Sequence, residues 1–113
     1  MRRAVGSRQG ANSGAVVSYT LIVTPAAAAD LTAIRKWYEE QSEGLGNRFL
    51  ERVGEALTVL RSSPFLYEEI RPGVHRVLLA KFPYGIVYRI RQRVVRVIAV
   101  YHVRRDERVF GER

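Results

Sequence analysis

His102, Arg104, Arg105 and Arg108 lie within seven positions of one another in the stretch YHVRRDERVF, residues 101–110. An imidazole titrates near neutrality and is the natural proton carrier of such a group. Guanidinium groups grip phosphate or carboxylate in a bidentate fork. The combination suits three roles: a phosphate-handling active site, a docking patch for an acidic partner, or the solvated end of a strand. Arg71, Arg76, Lys81 and Arg89 add cations upstream. The chain has no cysteine, which excludes disulfides, thiolate nucleophiles and thiolate-bound metals. His75 and His102 are its two histidines, too few for a histidine-rich metal site, so neither metal nor cofactor is expected.

The charge is unevenly distributed. Residues 1–70 carry eight Lys or Arg and eight Asp or Glu, whereas residues 71–113 carry eleven basic and three acidic side chains. The formal net charge of +8 is therefore a property of the C-terminal third. Such a surface calls for an anionic partner, and RNA, DNA and an acidic protein tail all satisfy it. An apolar fraction of 47% over 113 residues supports one globular domain with one core. No apolar run is long enough to span a bilayer, and the N-terminal stretch lacks the apolar block of a signal peptide. A cytoplasmic protein with no membrane contact is expected.

The elements that position the cations follow from periodicity. Residues 1–16, rich in Gly, Ser, Arg and Ala, predict a flexible tail, and residues 17–113 the folded domain. The alternation in VSYTLIVT predicts a first strand. Thr24 and Pro25 then supply a helix cap and a first helical residue. Ala27, Leu31, Ile34 and Tyr38 make one apolar stripe, with Arg35, Lys36, Glu39 and Glu40 facing away. After the break at EGLG, Leu45, Phe49, Val53, Leu57 and Leu60 make a second stripe that Pro64 ends. PFLYEEIRPG reads as a loop whose YEE is solvated. VHRVLLAKF, YGIVYRIR and VVRVIAVYH then predict three strands in an antiparallel meander. The expected fold is α+β, in the order β-α-α-β-β-β: a helical hairpin on a small twisted antiparallel sheet. Tyr84, Ile86, Tyr88 and Ile90 share one side of the middle strand; Gly85, Val87, Arg89 and Arg91 share the other. Arg96 is expected on the side of Val94, Ile98 and Val100. Tyr84 and Tyr88 are expected in the core, and Trp37 packed at the helix pair.

The run from TPAAAADLTAIRKWYEEQS through NRFLERVGEALTVLRSSPFLYEEIRPGVHRVLLAKFPYGIVYRI to VIAVYHVRRD resembles the RelE/ParE superfamily of toxins from bacterial type II toxin–antitoxin systems. The resemblance covers about residues 18–110, and its most specific parts are the GVHRVLLAKFPYGIVYRI hairpin and the closing HVRRD. It implies the toxin of a two-gene plasmid-stabilisation module that binds a cognate, acidic-tailed antitoxin in a hetero-oligomer. RelE-like members cleave messenger RNA on the ribosome without a metal; ParE-like members poison DNA gyrase and are not nucleases.

Metal-free RNA cleavage requires a group to take the 2′-OH proton, a group to protonate the leaving oxygen, and cations around the phosphoryl oxygens. The candidates for a ribonuclease are Arg76, Lys81, His102, Arg104 and Arg105. RelE-like enzymes commonly carry a tyrosine after the last basic cluster; here that place holds Phe110, which has no hydroxyl. The HVRRD ending resembles the ParE-like branch. The expectation is therefore a gyrase inhibitor rather than an enzyme. A ribosome-dependent ribonuclease is the alternative, and an inactive antitoxin-binding remnant the second alternative. Arg71, Arg76, Arg89, His102, Arg104, Arg105 and Arg108 are the expected contacts with antitoxin or target. His102 itself is expected to hydrogen-bond to backbone or carboxylate and orient the strand end.

Overall fold

The computed structural model describes residues 18–105. The expected tail at residues 1–16 lies outside them, as do Arg108 and Phe110. The described chain runs β1 (Thr20–Val23), α1 (Pro25–Gln41), α2 (Leu45–Ser62), β2 (Glu68–Arg71), β3 (Val74–Leu78), β4 (Tyr84–Arg91) and β5 (Val94–His102). The strands form one sheet in the order β1-β5-β4-β3-β2. β1 runs parallel to β5, and every other pair is antiparallel.

Both helices begin as their sequences predict. The Thr24 hydroxyl accepts from the Ala27 amide at 3.2 Å, and Pro25 takes the first turn. α2 has no side chain of its own capping its first turn. Glu39 of α1 supplies the acceptors instead, taking the Gly44 amide at 2.8 Å and the Gly46 amide at 3.0 Å. These bonds hold its carboxyl below the ordinary carboxylate range. Glu39 thus turns back onto the helix pair rather than facing away as expected. Gly46 permits the approach: a Cβ there would come within 2.7 Å of the Arg35 carbonyl oxygen.

The helix stripes cover one face of the sheet. Ala27, Phe49, Val53 and Leu60 are buried against Val77, Ile86, Tyr88, Val95, Val97 and Val100, with Leu31, Ile34, Tyr38 and Leu57 at the margin. Tyr84 and Tyr88 belong to this core, as expected. Trp37 does not. It is 50% exposed and meets Tyr38 edge-on, so its ring lies outside the helix interface.

Three further expectations are corrected. Glu68–Arg71, read as part of a loop, is a strand. Pro72 and Gly73 form the two-residue turn between Arg71 and Val74, with Gly73 at φ +76°, the arrangement of a type II turn. The sheet is mixed rather than antiparallel, because β1 joins the edge of β5 in parallel. Finally, the β4–β5 register shifts between Val87, opposite Ala99, and Tyr88, opposite Val97. Ile98 is the additional residue of a bulge, which reverses the alternation downstream. Arg96 and Ile98 therefore lie on the side away from the helices with Ala99 and Tyr101, whereas Val100 turns into the helix-side core.

β1 covers β5 only as far as Val97. Beyond it, α1 takes over the edge: the Asp30 carboxylate accepts from the Val100 amide at 3.0 Å. A buried strand amide is thereby satisfied without a neighbouring strand.

Candidate functional site: the basic sheet face and the strand end

The sheet face away from the helices carries Arg71, Arg76, Arg89, Arg91 and Arg96. The register sets Arg71 and Arg89 opposite Val74, Arg76 opposite Val87, and Arg96 opposite Arg89. Val74, Val87, Ile98, Ala99 and Tyr101 make a second, smaller apolar cluster beneath them. Three of the expected site residues, Arg71, Arg76 and Arg89, thus share this face.

At its centre stands a polar group. Arg76 Nη1 donates to the Tyr101 hydroxyl at 3.1 Å, and Arg76 Nη2 to Glu68 Oε1 at 2.6 Å. Arg76 Nε is buried without a partner. The bond to Tyr101 first, and that to Glu68 second, hold the guanidinium above its ordinary pKa. The Tyr101 ring lies over Gly85, where a Cβ would meet it at 2.9 Å. Only a residue without a side chain lets the ring lie flat enough for its hydroxyl to reach Arg76. The guanidinium is thus held by partners inside the chain, with its charge offset by Glu68.

His102 lies on the other side of the sheet. It is paired with Tyr84, and its ring meets that tyrosine edge-on at 5.2 Å. Tyr84 in turn packs against Phe49 and Tyr38, whose rings also enclose Phe82. His102 Nδ1 accepts from the amides of Arg104 and Arg105 at 3.2 and 3.3 Å. The acceptor role leaves the ring proton on Nε2 of a neutral imidazole and occupies the lone pair that a general base would use. Burial and the neighbouring Tyr84 raise the Tyr38 phenol above its ordinary pKa, while Arg105 draws it the other way. Arg104 and Arg105 are exposed at this end.

Lys81 belongs to the same end of the sheet as His102, two residues before Pro83, whose carbonyl accepts from the Val103 amide at 3.0 Å. The lysine lies in the connection between β3 and β4 with φ +70° and lines a depression of about 280 Å³ with Arg48, Glu51, Arg52 and Phe82 on the helix side. Arg76 and His102 therefore lie on opposite faces of the sheet, with Lys81 in the connection near the His102 end. His75 is part of the structural core: stacked on Tyr88 at 5.5 Å, it donates through Nδ1 to the Tyr67 carbonyl at 3.0 Å. Tyr88 donates to the Pro64 carbonyl at 2.7 Å, and burial raises its pKa. The two rings tie the connection after α2 onto the sheet.

Tyr101 was not singled out in the sequence, and Glu68, part of the YEE expected to be solvated, instead accepts from Arg76 on the sheet. Tyr101 precedes His102 in the stretch that drew attention, but one residue along a strand is the opposite face. The signal for Glu68 is the RPGV turn, which brings residues 68 and 76 opposite each other once it is read as a hairpin. Among the described residues no group of three or more His, Cys, Asp or Glu could hold a metal ion, and no helix is long and apolar enough to cross a membrane.

A helical hairpin on one face of a five-stranded mixed sheet, with arginines on the other, defines an α+β architecture shared with solved toxins. A chain of the chromosomal ParDE toxin–antitoxin system of P. aeruginosa superposes with a TM-score of 0.65 at 21% identity, over 75% of this chain and 96% of that one. A double mutant of the Escherichia coli toxin RelE in its free state superposes with a TM-score of 0.56 at 21% identity, over 84% and 93%. No curated protein sequence matches. The family of the ParE toxin of the type II toxin–antitoxin system parDE matches residues 21–107, and the chain belongs to that family. It is a type II toxin of the RelE/ParE superfamily.

Proposed function

We propose that the protein acts by contact rather than catalysis, inhibiting DNA gyrase in the cytoplasm until a cognate antitoxin covers it. The observation that carries this reading is the separation of the groups that metal-free RNA cleavage would need. Arg76 is on the open sheet face with Nη1 and Nη2 engaged by Tyr101 and Glu68, whereas His102 is on the helix side with Nδ1 engaged by backbone. Among the described residues, His102 is the histidine nearest exposed cations, Arg104 and Arg105, and its Nδ1 is taken up by their backbone amides rather than aimed at a phosphodiester.

The neutralising partner would dock where the surface is both apolar and basic. β2 pairs with β3 only as far as Arg76, which leaves Val77 and Leu78 at an uncovered sheet edge. Beside this edge a groove of about 200 Å³ runs between α2 and β3, floored by Ala56, Val59, Tyr67 and Leu79. Leu78, Phe65 and Leu66 are 59%, 65% and 68% exposed. An antitoxin tail that orders on binding can add a strand or helix here while its carboxylates meet the arginines.

A purified translation reaction tests the non-catalytic part, with primer extension reporting cuts in the messenger RNA. Intact message is expected at toxin concentrations that arrest growth. Codon-positioned cuts that vanish in His102→Ala or Arg105→Ala would make the protein a ribonuclease and overturn the reading.

A further inference from the structure

We propose that the hairpin end of the open sheet face is a polyanion site, in which Arg89, Arg91 and Arg96 grip the phosphodiester backbone of nucleic acid. Arg89 on β4 stands directly opposite Arg96 on β5. Like charges in that relation repel and weaken a sheet. Arg91, two residues beyond Arg89, extends the same row, and all three arginines are exposed. With Gln92 and Val94 they line a depression of about 280 Å³. The ion pairs Arg52–Glu55 and Arg76–Glu68 involve none of these three arginines.

The turn adds a second observation. Gln92, the first residue of the two-residue connection between Arg91 and Val94, has φ +58°. Glycine takes this conformation freely, whereas a residue with a Cβ is strained there. Repulsion and strain thus meet at one exposed tip, the pattern of a surface shaped for a ligand rather than for stability. The chemistry selects the ligand. Protein interfaces centre on aromatic and aliphatic anchors, and here the only apolar member is Val94. Interfaces with nucleic acid are polar and strongly positive. Arginines two residues apart on a strand repeat at roughly 6.7 Å, a row of cations that suits a chain of regularly spaced phosphates.

The site adjoins the group around Arg76 and Tyr101 on the same face, since Arg89 lies two residues along β4 from Val87, the partner of Arg76, and it lies at the opposite end of β4 from His102. β4 separates the two ends of the sheet by roughly 23 Å, at about 3.3 Å per residue. The inference does not depend on gyrase being the target.

The test is binding of a short fluorescent DNA duplex to the full chain, followed by anisotropy across a series of salt concentrations. The triple variant Arg89→Gln, Arg91→Gln, Arg96→Gln should bind at least about tenfold more weakly, with a log–log salt slope shallower by about 3. A control with the same loss of charge on the helices, Lys36→Gln, Arg48→Gln, Arg61→Gln, should weaken binding less than about threefold. Relief of the Arg89–Arg96 repulsion should leave the hairpin variant melting no lower than the wild type. Equal losses in the two triple variants would reduce the effect to net charge and overturn the site. Unchanged binding by the hairpin variant, or a fall in its melting temperature, would also overturn it. Poly-glutamate should fail to displace the duplex; displacement at equal charge, lost in the hairpin variant, would assign the site to an acidic protein instead.

Discussion

Gly85, Tyr101 and Arg76 act as one unit, because the tyrosine hydroxyl reaches the guanidinium only while its ring lies over a residue without a side chain. Gly85→Ala should push the ring off its seat and lower stability by about 1–3 kcal/mol, the usual cost of overpacking. Gly54, on an exposed part of α2 with open space around its Cβ position, makes the contrast. Alanine there should be neutral or stabilising by up to about 1 kcal/mol through helix propensity. Thermal unfolding of the two variants checks the pair. Glu39 gives a pH signature. Its carboxyl is held below its ordinary pKa by the Gly44 and Gly46 amides, so the stabilisation is complete above the unfolded value and is lost as pH falls through the lower folded value. Glu39→Gln should therefore melt below the wild type at neutral pH, and the gap should close on acidification below about pH 4. A gap independent of pH would contradict the capping role.

The strand edges show how far local pattern carries. Asp30 reaches from α1 to the Val100 amide on the part of β5 that β1 does not cover. Asp30→Ala removes that acceptor and should cost about 1–3 kcal/mol, read as a lower midpoint in urea. The helices, the final hairpin and the burial of Tyr84 and Tyr88 were legible in the sequence, since each rests on a local period or a capping residue. Three features were not. A four-residue strand such as β2 is too short to display an alternation, and its RPGV turn was read as a loop signal rather than as a hairpin tip. The bulge at Ile98 follows from pairing with β4, so residues 94–102 look like uninterrupted alternation until the partner is known. The parallel placement of β1 depends on contact between the two ends of the domain. For the same reason the cations were legible as a list but not as groups: Arg76 and His102 fall on opposite faces only once strand directions and register are fixed.

At the scale of the whole molecule, one face of the sheet is closed by helices, while the other presents arginines beside an uncovered edge of β3. On the proposed reading, the partner that neutralises the toxin covers that edge and the exposed Phe65, Leu66 and Leu78 next to it. Leu66→Glu combined with Leu78→Glu should weaken antitoxin binding at least about tenfold, as expected when apolar anchors at an interface are lost. Isothermal titration with the protein encoded beside the toxin gene would measure it, and unchanged affinity would place the antitoxin elsewhere. The central claim is that this toxin works by contact with gyrase rather than by cutting RNA. Its most direct test is a supercoiling reaction with purified gyrase, relaxed plasmid and increasing amounts of the toxin. The account predicts that supercoiling falls with toxin concentration and recovers when the antitoxin is added; supercoiling that proceeds at the same rate at saturating toxin would contradict it.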